Sequence, residues 1–443
     1  AVLQVGMPSW LGRQTTIVLF YYLGGLGMFF FVRSLLKNHS REKNDWIAWI
    51  ALISALWYWF NLGTAQIFYL PLEAFAIQFA LLPWATLVLF RYLDNTSSLR
   101  RLFQVCLVFF LGAGQGFIPS LAVTHFFFFF IILLVYWAKS DSKQTAVAAV
   151  AKVSAIILFS QLFWLIPLTH YLLTNNGAFL NAYNNLITTN DFIDKSTRYG
   201  DLPSVLLLKS FFLESTHLDE LVFQPWINHL NWFTKLIGLM MSVLSITGAL
   251  YAVMKYRSSW KIVSLVIVFT IFFGLLASQL FPFSLLTDLI YQVSPTIAQA
   301  FRTAFTKFGV SLSFLYSGML GVSVYVFTSL ARQRTVHHVP KKYALILLIS
   351  SILIFGWPIW TGNLFYHRLF VAIPQNYQNF MQYMQNQPNG RIAQLPTDCS
   401  EGWYTYSWGY LGSGFYWYAV PQSFMSRSFD VWSKPNEQFY WES

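Results

Sequence analysis

Charge is scarce in this chain: only 10% of its residues are Asp, Glu, Lys or Arg, against about 25% in a typical soluble protein. Cysteine is scarcer still, and two cysteines exclude a disulfide-stapled domain. Cys106 lies in an apolar run and Cys399 near the C-terminus, so we predict no bond between them. The sequence also lacks a Gly-rich phosphate loop and the GxSxG, CxxC and HExxH motifs. The sequence therefore does not indicate a soluble enzyme.

Apolar residues are abundant and make up 56% of the chain. They form ten runs that are long enough to cross a bilayer core about 30 Å thick. The predicted spans are 15–32, 46–60, 74–90, 102–117, 120–138, 147–171, 236–254, 262–281, 308–330 and 343–360. The predicted fold class is an all-α polytopic membrane protein, in which short connections make consecutive helices antiparallel neighbours.

Basic residues divide the connections between these spans into two alternating sets. Five connections, at 33–45, 91–101, 139–152, 255–261 and 332–342, hold 17 of the 28 Lys and Arg residues but only four of the 17 Asp and Glu residues. By the positive-inside rule these five are cytoplasmic, which places both termini outside a cell membrane. The net charge of +11 is then a topology signal and gives no reason to expect a nucleic-acid partner.

Two regions follow from this topology. Residues 1–360 form the transmembrane bundle, and residues 361–443 form an outside C-terminal segment. Within that segment 374–384 predicts a helix and 391–396 a short strand, so we expect a small α/β unit. The chain starts without Met and stops within an aromatic stretch. We therefore expect a fragment that lacks an earlier span and the end of this unit.

Aromatic residues crowd the C-terminal segment between 403 and 418. Two interpretations remain open for them. They either form the core of the segment or present a surface on which sugar rings stack.

Three connections are predicted to lie outside. The connection 61–73 is half polar, and Pro71 stops any helix that runs into the third span, so we predict a loop or re-entrant segment at the membrane face. The connection 172–235 is too long to be structureless and should carry short helices. Within it, 202–213 shows loose helical spacing and is predicted to lie flat on the outer membrane surface. The third outside connection is 282–307.

Two cations in the last of these connections are the strongest candidates for chemistry. Arg302 and Lys307 lie in the sequence FRTAFTKF at 301–308, at the outer mouth of a span. A guanidinium forks onto phosphate oxygens and an ammonium adds a point charge, while the Phe side chains suit a lipid tail. The alternative is that both cations extend to the outer interface without a ligand.

Ionisable residues at membrane depth are the remaining candidates, because they are costly there and usually have a purpose. Glu73 follows Pro71 closely and is a candidate general base, metal ligand or partner for a cation such as Arg302. Asp288 is a similar candidate; for both acids the alternative is a solvated loop position. His170 is a candidate for handling protons at the outer end of the sixth span.

Other ionisable residues have a structural interpretation. His125 lies in a run of Phe and is predicted to make an interhelical hydrogen bond. The sequence names no certain cofactor. A divalent metal is an option only if Asp191, Asp194 and Asp201 group together, since carboxylate oxygens suit Mg²⁺ or Mn²⁺; otherwise these acids form a solvated face.

Several stretches resemble a family of membrane enzymes. They are YYLGGLGMFFFVRSLL at 21–36, ALWYWFN at 55–61, the FR and KF pairs within 301–308, and IPQNY at 373–377 with GRIAQLP at 390–396. In these stretches and in its many spans the chain resembles GT-C-class integral membrane glycosyltransferases, and is similar to bacterial arabinofuranosyltransferase-like and YfhO-like membrane proteins.

The resemblance implies a GT-C-like bundle and a hexosyl- or pentosyltransferase. Its donor would be a sugar on polyprenyl phosphate, and its acceptor a glycan or lipid on the extracytoplasmic face. Arg302 and Lys307 would hold the donor phosphate, and Glu73 would be a secondary acid. The family's key Asp would precede residue 1. The rival interpretations are a transporter or flippase of a lipid-linked molecule, which is expected to carry broken helices and charges at mid-membrane, and a noncatalytic membrane scaffold.

Overall fold

The computed structural model describes residues 9–37, 44–180, 183–333, 341–369, 371–393, 404–412, 415 and 419–425. Nearly all of the regular structure in these ranges is helical. The helices before the largest outer connection ends are α1 (Ser9–Lys37), α2 (Asn44–Phe60), α3 (Leu62–Tyr69), α4 (Glu73–Asp94), α5 (Leu99–Leu111), α6 (Pro119–Lys139), α7 (Lys143–Leu180), α8 (Tyr183–Arg198), α9 (Leu202–Leu207) and α10 (Gln224–His229).

The helices that follow are α11 (Trp232–Lys255), α12 (Trp260–Leu276), α13 (Phe283–Val293), α14 (Pro295–Phe301), α15 (Ala304–Gln333), α16 (Lys341–Phe355), α17 (Trp357–Trp360) and α18 (Gln375–Gln385). Short 3₁₀ helices occur at Gly112–Phe117, Phe211–Glu214 and His367–Leu369. The strands are β1 (Thr216–His217), β2 (Glu220–Leu221), β3 (Arg391–Ala393), β4 (Tyr404–Thr405), β5 (Leu411–Gly412) and β6 (Ser423–Met425), which form three two-stranded sheets.

Six described helices are apolar and long enough to cross a membrane. They cover Gly12–Lys37, Glu73–Asp94, Pro119–Lys139, Lys143–Thr174, Trp232–Lys255 and Ala304–Leu330. The helices α2 and α3 make a seventh span if they are counted together across their 46° bend. The apolar helices α12 and α16 are shorter. The all-α, multi-pass class is therefore confirmed, whereas the count of ten spans stays a prediction.

Helix α15 is the centre of the bundle, and 94% of the apolar window that defines its span is buried. It contacts α1, α2, α4, α6, α11 and α12. Small residues let these neighbours come close: Ser323 donates to the backbone oxygen of Leu244 on α11, and a Cβ on Gly248 would lie 2.6 Å from the Cα of Ser323. Close backbone approach and serine hydrogen bonds are the usual means of packing helices in lipid.

Contacts between the connections show which of them lie at the same end of the bundle. At one end Lys261 forms an ion pair with Asp94 at 2.6 Å, and the Lys139 ammonium donates to the backbone oxygen of Arg257. These contacts join three of the connections that are predicted to be cytoplasmic. Helix α12 runs from this end to the other, where the three outer connections meet. The contacts fit the predicted alternation, and which end faces the cytoplasm stays a prediction.

The predicted loop at 61–73 contains a buried helix. All eight residues of α3 are buried, and the break from α2 is capped by Asn61, whose side-chain oxygen accepts from the Thr64 amide and from the Ser313 hydroxyl. The re-entrant alternative describes this segment better than an open loop. The helix ends at Tyr69, two residues before Pro71, which lacks an N–H to continue the helix.

The connection 172–235 carries short helices as predicted, namely α8 to α10, although α7 extends as far as Leu180. The connection 282–307 also contains two helices, α13 and α14, which the sequence analysis did not predict. The prediction that 202–213 lies flat on the membrane surface is wrong. Helix α9 ends at Leu207, and Leu208 then adopts a left-handed conformation with φ 54°. The side chains of Val205, Leu207 and Leu208 are buried in the protein core.

The C-terminal segment carries one helix and short strands where it is described, and its nature as a small α/β unit stays a prediction. Helix α18 lies at the predicted place, and β3 pairs in parallel with β6, with Ile392 opposite Phe424. The predicted strand residues 394–396 lie outside the described residues. Aromatic rings of the segment contact one another and α18 at centroid distances of 5.0–6.2 Å; they belong to Tyr377, Tyr406, Trp408, Tyr410 and Phe415. This packing favours the core interpretation, and sugar stacking stays a prediction.

Candidate functional site

Arg302 occupies the junction between α14 and α15. Its guanidinium donates to the hydroxyls of Thr188 at 3.0 Å and Thr189 at 3.2 Å, and it lies over the ring of Phe192 at 5.2 Å. These three residues belong to α8, so this cation joins two of the connections that are predicted to lie outside. Burial lowers the pKa of Arg302, yet an arginine side chain remains charged at any physiological pH.

Lys307 lies in the first turns of α15 and is only 7% exposed. Its neighbours in sequence are apolar: the Phe308 ring stacks on Phe301, and Phe305 meets Phe212 edge to face. Among the described residues its ammonium has neither a hydrogen-bond partner nor an ion-pair partner. Lys307 also lies close enough to Arg302 for the two positive charges to repel each other, so an anion beside them would be favourable.

Two neighbouring cavities open beside this pair of cations. The larger has a volume of about 330 Å³ and is lined by four aliphatic side chains together with Tyr199, Lys209, Glu214 and Lys235. The smaller shares Tyr199 and Lys209 with it and is closed on another side by Phe305. Ser196, which also lines the smaller cavity, donates to the backbone oxygen of Arg302 at 2.9 Å. The smaller cavity, of only about 10 Å³, therefore lies near the cation pair through Ser196 and Phe305, while neither cation lines a cavity itself.

Lys209 is held in this region by Gln66 of the buried helix α3. The Gln66 amide donates to the backbone oxygen of Leu208 at 2.6 Å and accepts from the backbone nitrogen and the hydroxyl of Ser210 at 3.0 and 2.8 Å. These bonds fix the residues on either side of Lys209 and stabilise the left-handed Leu208. Non-glycine residues in this conformation concentrate at functional sites.

Glu214 is the carboxylate of the larger cavity. The Tyr199 hydroxyl donates to it at 2.9 Å, and the Arg198 guanidinium pairs with it at 3.2 Å. Burial, followed by this hydrogen bond and the negative charge of Glu214, raises the pKa of Tyr199 to about 12. Tyr199 therefore stays a neutral hydroxyl donor, and Arg198 balances the charge of Glu214.

Three residues predicted from the sequence lie away from this region in their described contacts. Glu73 begins α4, is about half exposed and forms an ion pair with Arg13. Asp288 is exposed on α13, and His170 is exposed on α7. None of the three lines either cavity. Their roles in catalysis or binding stay predictions. The ion-pair partner of Glu73 is Arg13, whereas Arg302 was one candidate from the sequence.

The interhelical hydrogen bond predicted for His125 is not formed. His125 is buried, its ring contacts Phe109 and Phe129, and Nδ1 has no hydrogen-bond partner among the described residues. The aromatic neighbours offer no acceptor, which explains the difference.

The acids proposed for a divalent metal do not group. Asp191 pairs instead with Lys195 at 2.7 Å, one helical turn away. In the part of the chain that the structure describes, no three His, Cys, Asp or Glu side chains are placed to hold a metal ion.

Sequence reasoning missed Lys209, Lys235, Glu214 and Gln66. A signal for the two lysines was present, because both belong to the minority of basic residues outside the five connections that are predicted to be cytoplasmic. The argument that singled out Arg302 applies to them equally. Gln66 gave no signal, since a glutamine in an apolar stretch does not reveal which backbone it will contact.

Comparison with protein-family models, curated proteins and solved structures finds no match to this chain. The class of the protein is thus that of an all-α, multi-pass membrane protein.

Proposed function

We propose that this chain is the membrane part of a glycosyltransferase that moves a sugar from a polyprenyl-phosphate-linked donor to an acceptor on the extracytoplasmic face. The observation that carries the proposal is the burial of Lys307 without a partner among the described residues, beside a second cation, Arg302. Two like charges in an apolar setting call for an anion, and a phosphate on a lipid meets that need.

The surroundings of the cations suit such a donor. Helix α13 precedes them and exposes Leu285, Leu289 and Val293 at helical spacing, which gives an apolar stripe for a polyprenyl chain. The phosphate would then lie at the bundle and the tail in lipid. Arg302 and Lys307 would stabilise the negative charge that develops on the phosphate as it leaves.

The reaction needs one more group. The bond between the sugar C1 and the phosphate oxygen breaks, a bond forms between C1 and an acceptor hydroxyl oxygen, and the hydroxyl proton passes to a base. Glu214 is the carboxylate that lines the larger cavity, and it is our candidate for this base. Glu73, the candidate from the sequence, is the alternative to be compared with it.

The test uses the full chain in lipid nanodiscs with polyprenyl monophosphate as the probe. We expect Arg302→Ala and Lys307→Met each to weaken its binding by about tenfold to a hundredfold, because a charge-assisted contact contributes about 1.5–3 kcal/mol. Arg302→Lys should recover only part of the affinity, since the forked geometry is lost. Arg257→Ala, an exposed cation at the other end, is the matched control. Unchanged affinity in both site variants would refute the phosphate role.

One observation favours a second candidate, a transporter of a lipid-linked molecule. The 46° break between α2 and α3 is the kind of discontinuous helix that transporters use. Reconstituted vesicles with a labelled donor separate the two functions. Label that moves onto an acceptor supports the transferase, and label that crosses the bilayer still attached to its lipid supports the transporter.

A further inference from the structure

The larger cavity holds two ammonium groups that lack partners. Neither Lys209 nor Lys235 has a side-chain hydrogen bond or ion pair among the described residues, although both line the same 330 Å³ space. Burial and the charge of Lys235 lower the pKa of Lys209, and Asp201 opposes this shift. Two cations that face one cavity without partners are the arrangement expected of a site for an anion.

The acids near the cavity leave this positive charge in place. Glu214 already forms an ion pair with Arg198 and accepts a hydrogen bond from Tyr199. Its negative charge is therefore balanced by Arg198 and not by the two lysines. Asp201 is the other acid that acts on Lys209. The cations of Lys209, Lys235 and Arg198 thus outnumber the carboxylates of Glu214 and Asp201. The net charge of these five groups around the cavity is positive.

Hydrogen bonds order the backbone that carries the two lysines of this open cavity. Gln66 is 1% exposed and holds Leu208 and Ser210 on either side of Lys209. Lys235 lies in the first turn of α11, a helix that Asn231 caps by accepting from the amides of Phe233 and Thr234. Both lysines thus start from ordered backbone beside the cavity, where Lys209 is half-buried and Lys235 is exposed.

We propose that this cavity is the acceptor site and that the acceptor is anionic, a saccharide that carries a phosphate or carboxylate group. This inference rests on the proposed transferase function. A volume of 330 Å³ lies at the small end of the ~300–1,000 Å³ range of ligand pockets, which suits one or two sugar units. Tyr199 and Lys209 also wall the smaller cavity beside Arg302, so the acceptor and the donor phosphate would be neighbours.

The experiment measures binding of glucose 6-phosphate, glucuronate and neutral glucose to the full chain in nanodiscs by titration calorimetry. We expect at least one anionic probe to bind more than tenfold tighter than glucose. Lys209→Met and Lys235→Met should each weaken that probe by about tenfold to a hundredfold, and Lys209→Arg should retain most of the affinity. Lys152→Met, an exposed lysine on α7, is the matched control and should bind the probe as the wild type does.

The outcomes separate this inference from the proposed function. Arg302→Ala and Lys307→Met should weaken polyprenyl phosphate and leave the anionic sugar probe unaffected. If the sugar probe binds as expected while polyprenyl phosphate does not bind at all, the donor proposal fails and the anion site stands. Equal binding of glucose and both anionic probes, or full affinity in both lysine variants with an unchanged melting temperature, would overturn the anion site.

Discussion

Gln66 accepts hydrogen bonds from both the backbone nitrogen and the hydroxyl of Ser210, at 3.0 and 2.8 Å, across 144 residues of sequence. This contact joins the buried helix α3 to the largest outer connection. It therefore links the interior of the bundle to the wall of both cavities, and it can be tested directly.

Replacing Gln66 by Leu should destabilise the protein. The change leaves the Leu208 carbonyl and the Ser210 amide buried without partners, at about 1–3 kcal/mol for each group. Gln78→Leu is the matched control: Gln78 is equally buried, but neither of its side-chain polar atoms has a partner among the described residues, so its loss should be neutral or stabilising. Thermal unfolding followed by tryptophan fluorescence measures both, and equal melting temperatures for the two variants would contradict the contact.

Replacing Gly248 by Ala should destabilise the bundle by about 1–3 kcal/mol, the usual cost of overpacking. A methyl group there would overlap Ser323, because the two helix backbones touch at this point. Gly318→Ala on α15 is the control. Its new Cβ would have Met28 at 3.4 Å as its nearest neighbour, an ordinary contact, and alanine favours the helix. A Gly248→Ala variant that melts as high as the control would show that the helices are less closely packed.

Stability should fall as the pH drops from 7.5 towards 5.5, in part through His217. This histidine is buried in the β1–β2 hairpin, where Nδ1 contacts the Tyr366 hydroxyl at 3.0 Å and Nε2 has no partner among the described residues. Burial lowers its pKa, Arg368 and His367 lower it further, and Glu220 raises it. A lowered pKa in the folded state means that the unfolded chain binds the proton more readily, so the stabilisation is present above about pH 6.5 and is lost below it.

The measurement for His217 is the slope of melting temperature against pH. His217→Asn should make that slope shallower over this range, because the titrating group is gone. His170→Asn, which removes an exposed histidine, should leave the slope as it is in the wild type. Identical slopes in all three proteins would show that His217 does not couple to folding.

The orientation of the bundle is tested by labelling single cysteines in intact cells. With Cys106 and Cys399 replaced, a membrane-impermeant maleimide should react with Asn363→Cys and not with Asp141→Cys or Arg257→Cys. All three positions are in connections, so each should be tolerated. Labelling at Asp141→Cys or Arg257→Cys from outside would reverse the predicted topology.

The sequence predicted the membrane class and the helix break before Pro71, because each depends on local composition or on backbone chemistry. The alternation of the connections stays a prediction. It predicted an exposed position for 202–213, where the structure buries Leu208. Loose helical spacing shows that one face is apolar, but it does not tell whether lipid or protein covers that face. This segment is held in its buried position by hydrogen bonds to Gln66, which lies more than a hundred residues away in the sequence.

The candidate site divides in the same way. Arg302 and Lys307 stand out in the sequence because outer cations are uncommon, and the structure adds the burial of Lys307. Glu73 stood out for a similar reason, yet its contact with Arg13 could not be read from residue spacing. Lys209 and Glu214 are brought to one cavity only by the path of the chain between α8 and α11.

The Gln66 bonds also bear on how a ligand would bind. Because the Gln66 bonds hold the backbone on either side of Lys209, binding would not have to order a flexible loop, and that entropic cost would be spared. The ligand would then bind to a preformed site, and its binding would not be coupled to the folding of a loop. A variant that lacks the Gln66 bonds should therefore lose affinity through an unfavourable binding entropy, even though the lysine itself is unchanged.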